Sequence, residues 1–597
     1  MHLVKVLACS AACLLLACGG SAPSTFELTL AHLNDTHSHL EPVPVDLTLG
    51  GVKTTVQMGG MARIKTTLDQ MRAEDPALLL LHGGDAVQGT LYFTLFNGAV
   101  EYDFLNRLGV DALTFGNHEF DRGLQPIPGW IGQSRFPWLS ANIDFSAEPS
   151  LAPLVSPFLV KQVNGERVAI IGVTTETTPQ TTLDVGKAVF MDAVTSVRHQ
   201  VAVLTATGIN KIVLLSHLGY AQDLALAAQV AGVDIIVGGH SHTLLGEVPA
   251  LATFGLTPEG GAPTVVLAPD GAKVLVTQAW QWGQLVGRLQ VRFNPAGQAL
   301  SWRSSPVLPV GDTFTRSGVM VLPGTAPYQE LVQTLTQYGL AHIVAEDPGL
   351  SALLAPYTEQ VAAFRSVAVA TAAEALPRGL NSGPGPLAAD SMLAAVPHAQ
   401  VAILNQGGVR KDMAAGTISV GDVLEVMPFA NSLVLVDLTG AELKAALEEG
   451  IDFLLTKYPQ QVPPLMPYVG GVRFSVQPAA VKGLRVASLA IKDASGAYQP
   501  VLPAATYRVV VNAFVAGGGD GFAAIRNAQG FRSDTGIIDS DALRDHLKAL
   551  GMVRNPTEPR ITILASALGL GLPPRSAEAG NLGASGSRHP FRWMRAA

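Results

Sequence analysis

From Phe26 to about Val310 one pattern recurs: a short, nearly continuous apolar run that stops at a polar cluster. Residues 27–33 run into Asn34-Asp35-Thr36-His37, and residues 77–81 into Gly83-Gly84-Asp85. Residues 110–115 run into Gly116-Asn117-His118-Glu119-Phe120-Asp121. Residues 168–173 form a further run, 212–215 lead into Ser216-His217, and 233–237 lead into Gly238-Gly239-His240-Ser241-His242. Runs of this kind suit strands buried on both faces. Helical spacing lies between them: Met61, Ile64, Leu68 and Met71 before one strand, and the alanine-rich residues 221–231 before another. The alternation predicts an α/β domain of helices layered on sheets, in which polar sites collect beyond the carboxyl ends of strands.

The strand rhythm stops near Thr325. Residues 328–342 and 350–364 read as helices, and residues 326–367 as a helical linker and hinge. A second α/β region follows over 368–564. Its landmarks are the 401–404 strand, the 440–449 helix and the 507–512 strand leading into Gly517-Gly518-Gly519-Asp520-Gly521. The first domain is thus expected over 27–325. The Gly/Ala/Ser/Pro-rich residues 565–597 read as a disordered tail.

Composition sharpens this reading in two places. At 597 residues the chain is too long for a single core, and 48% hydrophobic with only 14% charged residues argues for a folded protein. A net charge of −8 gives no basic footprint for a nucleic-acid polymer. The three cysteines, Cys9, Cys13 and Cys18, all fall at the start, where a basic Met1-His2-Leu3-Val4-Lys5 precedes an apolar run over 6–17. That run is too short to span a bilayer and has the shape of a signal-peptide core. It ends in Leu15-Leu16-Ala17-Cys18-Gly19, which resembles the lipobox of bacterial lipoproteins. The expectation is a lipoprotein signal over 1–18, a tether over 19–26, and export to the periplasm or cell surface with a membrane anchor on Cys18. Disulfides and thiolate metal sites are then excluded from the mature chain.

The strand-end residues Asp35, His37, Asp85, Asn117, His118, Asp121, His217, His240 and His242 make a thiolate-free donor set. Carboxylate, amide and imidazole suit zinc, manganese, cobalt or iron. Asp35 and His37, like His240 and His242, are separated by one residue and can chelate from one loop. Eight or nine groups are too many for one ion and about right for two. Two divalent ions about 3.5–4 Å apart can share a hydroxide and clamp a phosphoryl oxygen for in-line displacement. One such histidine is most simply a satisfied strand-end residue; five loops together are not.

Asp35-x-His37, Gly84-Asp85, Gly116-Asn117-His118-Glu119, Ser216-His217 and Gly239-His240-x-His242, in this order, resemble the calcineurin-like metallophosphoesterase motifs. Gly-Asn-His-Glu-Phe-Asp, with the second region, resembles more narrowly the bacterial 5'-nucleotidase/UDP-sugar hydrolase family over most of 27–560. The resemblance implies one metal held by Asp35, His37, Asp85 and His242. It implies a second held by Asp85, Asn117, His217 and His240, with Asp85 bridging. Some family members carry glutamine where this chain has His242. His118, oriented by Asp121, would face the phosphate and stabilise or protonate the departing oxygen; Glu119 and Phe120 would be structural.

In the second region, Asn405-Gln406-Gly407-Gly408-Val409-Arg410, Met427-Pro428-Phe429-Ala430-Asn431 and the stretch from Asn512 to Gly521 resemble the family's nucleotide-binding part. Phe429 and Phe514 can sandwich a base, a contact worth about 1–3 kcal/mol and tolerant of base identity. Asp520 can accept from ribose hydroxyls, Arg410 can fork onto phosphate, and Asn405 and Asn431 can read the base edge. Arg378 is a further candidate on the substrate side. Pro386 departs from the family, which usually has Asn or Arg there, and is expected to remove one polar contact.

The reading is an exported two-metal phosphohydrolase acting on extracellular nucleotides. The same scaffold also serves 2',3'-cyclic-nucleotide phosphodiesterase/3'-nucleotidases, UDP-sugar hydrolases and thiosulfohydrolases. The last has no need of a Phe429/Phe514 pair. A non-catalytic nucleotide-binding lipoprotein is the rival from outside enzymology, and it has no need of His118 and Asp121. The sequence carries no signal of oligomeric state.

Overall fold

The computed structural model describes residues 25–182, 185–459 and 461–564. The leader, the lipobox with Cys18, most of the tether and the tail lie outside the described residues. No described helix is long and apolar enough to cross a membrane.

Two sheets face each other at the centre of the first domain. One has seven strands in the order Ala299–Ser304, Gly287–Phe293, Phe26–Leu33, Leu79–His82, Ala112–Thr114, Trp138–Leu139 and Val155–Ser156. The other has six: Thr264–Leu267, Lys273–Gln278, Ile235–Gly238, Ile212–His217, Glu166–Thr174 and Phe158–Val163. The apolar runs are continuous because each strand feeds two cores. Leu28, Leu30, Leu79, Leu81, Val213 and Leu215 fill the space between the sheets. Their neighbours Ala31, Leu33, Leu78 and Leu80 face the helices Met61–Glu74 and Ala99–Leu108. Ile212 and Leu214 face the helix Ala193–Ala206 on the opposite outer side. Strand side chains alternate, so a strand sandwiched between two apolar layers has no solvent face to make polar.

A smaller sheet of Val43–Leu49, Val52–Met58, Leu308–Arg316 and Val319–Val321 completes this domain. The helix expected over 328–342 is shorter, Ala326–Thr336, and Ala341–Ile343 is instead a strand paired in parallel with Leu308–Val310. Leu331, Leu335 and Ala341 belong to that sheet's core, so this stretch is part of the first domain's structure. The next helix, Pro348–Arg365, is capped by the Asp347 side chain on the Leu350 amide at 2.7 Å. It buries Leu350, Leu354 and Val361 in the first domain's helical core, alongside Val420 of the second.

The second domain is built on a five-stranded sheet in the order Tyr468–Gly470, Val401–Leu404, Thr506–Asn512, Ser432–Thr439 and Arg532–Ile538. Helices Pro384–Ala395 and Asp539–Leu550 cover one face. Helix Gly440–Lys457, started by a Thr439/Glu442 capping box, covers the other. The chain is thus an α/β protein of two layered domains.

Candidate metal centre and adjoining cavity

The five parallel strand ends converge. Asp35, His37 and His242 form one donor group and Asp85, His217 and His240 another, with ligand atoms within 4.8 Å of one another in each. His37 Nε2 stands 3.0 Å from His242 Nε2, and His242 Nε2 is 3.4 Å from Asp35 Oδ1. His217 Nε2 lies 3.0 Å and His37 Nε2 3.7 Å from the same Asp85 oxygen, Oδ2, so Asp85 faces both groups. Asn117 Oδ1 is 2.9 Å from His240 Nδ1 and 3.3 Å from His217 Nε2.

Two glycines make this approach possible. A Cβ on Gly116 would lie 2.0 Å from Asp85 Oδ1, and one on Gly84, at φ +87°, would lie 2.6 Å from the Gly116 nitrogen. Glu119 then ties the loops together: its carboxylate accepts from the amides of Asp85, Ala86 and Gly116 at 3.0, 2.8 and 2.6 Å, and from the Tyr102 hydroxyl at 3.2 Å. Burial and the nearby Asp85 push the Glu119 carboxyl up to about 7. Glu119 is structural in a specific sense, as the brace between two donor loops. The outer atoms of the histidines are likewise held: His37 Nδ1 by the carbonyls of Val87 and Gln88, His217 Nδ1 by that of Gly83, and His242 Nδ1 by the Gln281 side chain. Bonds of this kind leave the opposite nitrogen for an ion.

The electrostatics fit divalent cations. Burial opposes charge on Asp85, yet His217, His118 and His37 hold its carboxyl well below the usual range. Burial opposes charge on His217 as well, but Asp85 and Asp35 push it up to about 9. The Nε2 atoms of His37 and His242 face each other at 3.0 Å beside buried carboxylates, and with each Nδ1 turned to an oxygen a cation placed between them would accept both lone pairs. The donor set, carboxylate and imidazole with one amide, matches borderline divalent metals.

His118 stands beside the donors. Its Nδ1 is 2.6 Å from Asp121 Oδ2, and its backbone amide donates to Asp85 Oδ1 at 2.9 Å. Burial resists the imidazolium, but Asp121, Asp85 and Asp534 raise its pKa well above the ordinary value.

One cavity of about 1350 Å³ joins this centre to the second domain. His37, Asp85, Asn117, His118, His240 and His242 line one end; Asn405, Arg410, Phe429, Asn431, Phe514 and Asp520 line the other. Phe429 and Phe514 are 50% and 46% exposed. The Arg410 guanidinium lies 5.8 Å from the Phe429 ring centre. Phe514 rests on Gly519, where a Cβ would come within 2.4 Å of the ring. Asn405 donates to Asp520 at 2.9 Å and accepts from Asn512 at 3.1 Å. Asn431 donates to Asp539 at 3.3 Å.

Two expectations change. Arg378 is not brought to the cavity: its Nε donates to Asp412 at 3.1 Å and its Nη1 to the Val409 carbonyl at 3.2 Å. Pro386 is not a gap in the cavity wall either. It is buried in the first turn of helix Pro384–Ala395, where an amide has no intrahelical acceptor to lose. Residues that no motif marked also line the cavity, among them Gln88, Gln281, Trp282 and Asp534. Asp534 lies in the mostly polar Arg532-Ser533-Asp534-Thr535-Gly536, which carries no apolar run to announce a strand.

Residues 28–244 match the calcineurin-like phosphoesterase family and residues 367–527 the 5'-nucleotidase C-terminal domain. With the converging donor groups, this defines a metal-dependent phosphoester hydrolase. A probable 5'-nucleotidase of Treponema pallidum is 32% identical over 566 residues, covering 91% of this chain and 95% of that protein. The 5'-nucleotidase precursor of Thermus thermophilus is 40% identical, with 91% and 100% of the two chains covered and a TM-score of 0.58. The NAD nucleotidase of Haemophilus influenzae is 28% identical over the same shares, with a TM-score of 0.77. The chain belongs to the 5'-nucleotidase family.

Proposed function

We propose that the protein is an exported, lipid-anchored nucleotide phosphohydrolase that releases phosphate from nucleoside 5'-phosphates. The observation that carries the reading is the single cavity with donor groups at one end and two half-exposed phenylalanines at the other. A nucleotide has this polarity, with an anion at one end and a flat base at the other.

In this reading Asp35, His37, Asp85 and His242 hold one divalent ion, and Asp85, Asn117, His217 and His240 the other. Such ions, when bound, supply Lewis acidity to the phosphoryl group and lower the pKa of water. Phe429 and Phe514 clamp the base, and Asn405 keeps Asp520 turned to accept from the ribose hydroxyls. Asn431, its amide nitrogen engaged by Asp539, offers its oxygen to the base edge. Arg410 neutralises phosphate charge. Asp121 holds Nδ1 of His118, which leaves Nε2 to donate to a phosphoryl oxygen and to pass its proton to the departing 5'-oxygen. Base and phosphate sit on different domains, so the segment between them, with helix Pro348–Arg365, acts as a hinge whose closure brings the phosphate to the donors.

The test is phosphate or sulfate release from AMP, 3'-AMP, a 2',3'-cyclic nucleotide, UDP-glucose and a thiosulfate ester by the metal-loaded protein, with and without chelator. Fast, chelator-sensitive turnover of AMP is expected. Preference for any other substrate overturns the 5'-nucleotide assignment, and release from none revives a binding protein.

A further inference from the structure

The strand Arg532–Ile538 belongs to the second domain, yet its middle lies against the first domain's His118–Asp121 pair. The Gly536 carbonyl accepts from Gln88 Nε2 at 2.6 Å, and Gln88 stands in the loop just beyond Asp85, at φ +68°. Gly536 itself has φ +66°, and a Cβ there would lie 2.9 Å from both Oδ1 and the carboxyl carbon of Asp121. The space that a Cβ would need at Gly536 is therefore taken by that carboxylate. Two residues earlier, Asp534 lines the cavity and is fixed by the Ser432 hydroxyl at 2.5 Å and the Gly536 amide at 3.0 Å.

The Asp121 carboxylate is held unevenly. Oδ2 is bonded to His118, while Oδ1 is buried and has no hydrogen-bond partner among the described residues. No described residue bonds Oδ1 to stop the group from turning about its Cβ–Cγ bond and loosening the 2.6 Å contact with Nδ1. What limits the turn on the Oδ1 side is contact with Gly536. A side chain at that position would have to displace either the carboxylate or the strand.

We propose that Gly536, held in place by Gln88, is a positioning residue for the catalytic pair. The second domain supplies the wall that keeps Asp121 facing His118, so the pair is complete only when both domains are in place. The inference rests on the assignment of His118 and Asp121 to catalysis.

The experiment is steady-state kinetics of the metal-loaded full chain on the phosphate ester it turns over fastest. The variants are Gly536→Ala, Gln88→Ala and Asp121→Asn, with each of the first two also combined with the third. Gly536→Ala should lower kcat at least tenfold with KM within threefold and metal content, by elemental analysis, unchanged. In the Asp121→Asn background the same change should cost less than threefold, because the group being positioned is already impaired. Should Gly536→Ala fail to fold, Gln88→Ala decides: a threefold or greater loss of kcat, absent in the Asp121→Asn background, supports the proposal. Near-normal kcat in the single variants, or losses that simply multiply, would overturn it. An Asp121→Asn protein with wild-type kcat would instead remove the assignment beneath it.

Discussion

At the first-domain end of the cavity the side chains are fixed before any substrate arrives. Of the seven candidate metal ligands five are buried and two half-buried, and five sit at positive φ: Asp35, His37, Asp85, His240 and His242. Such backbone is uncommon outside glycine and costs about 1–3 kcal/mol per residue unless the surroundings enforce it. Here they do, through Glu119, Gly84, Gly116 and the bonds to the outer histidine nitrogens. At the second-domain end Phe429, in a turn, and Phe514, in the one-turn helix Ala513–Ala516, are half exposed. Charge stabilisation in a transition state demands groups that need no reorganisation. Base recognition by stacking gains from surface that is still wet when the ligand arrives. Under the proposed function, the difference between the two ends is the difference between those tasks.

Four measurements sharpen or break this contrast. The largest effect belongs to Gly116→Ala. Its Cβ would fall on Asp85, so both donor groups should lose metal by elemental analysis and turnover should drop more than about 10⁴-fold. A variant that keeps its metal would show the rigid end to be less rigid than argued. Next comes His118→Ala, with both metals retained, KM little changed and kcat about 10²–10⁴-fold lower. Phe429→Ala and Phe514→Ala should each raise KM for a nucleotide by about 5–150-fold, the equivalent of about 1–3 kcal/mol of stacking. Equal losses in kcat would mean that these rings also serve the chemistry.

The smallest effect concerns Asp539, which receives the Asn431 amide and whose carboxyl burial pushes up to about 7. Between the ordinary carboxylate value and about 7 the folded chain keeps a proton there that the unfolded chain has released. Stability therefore falls as pH rises through this window and is lowest, in this contribution, above about 7. Asp539→Asn should flatten that part of the decline by on the order of 1 kcal/mol per pH unit, read from denaturant unfolding between about pH 4 and 8. An unchanged slope would place the titration elsewhere.

The donor residues were legible because local pattern and site coincide: an apolar strand between two cores ends abruptly, and a ligand stands within a few positions of that end. Phe514, Asp520 and their glycine turn likewise follow closely on the end of a strand, Thr506–Asn512. Long-range pairings left no such trace. Arg378 looks like a free cation until Asp412, 34 residues on, is seen beside it. The contact of Gln88 with Gly536 spans 448 positions, and Asp534 sits in a strand too polar to be read as one. At residues 341–343 pairing with Leu308–Val310 overrides the helical spacing that precedes them. Pro386 misled for a related reason, since its place in a helix start makes its missing amide irrelevant.

Left-handed backbone also sets limits for anyone who would retune the metal preference of this centre. At Asp35, His37, Asp85, His240 and His242 that conformation favours asparagine, aspartate and histidine as donors, unbranched side chains such as that of Gln88 at φ +68° are held in it only by their surroundings, and glycine accepts it but offers no donor. Threonine and other β-branched residues are shut out by the main chain before their chemistry is considered. Redesign toward softer or harder ions therefore begins at Asn117 and His217, whose backbone lies at negative φ or within a strand.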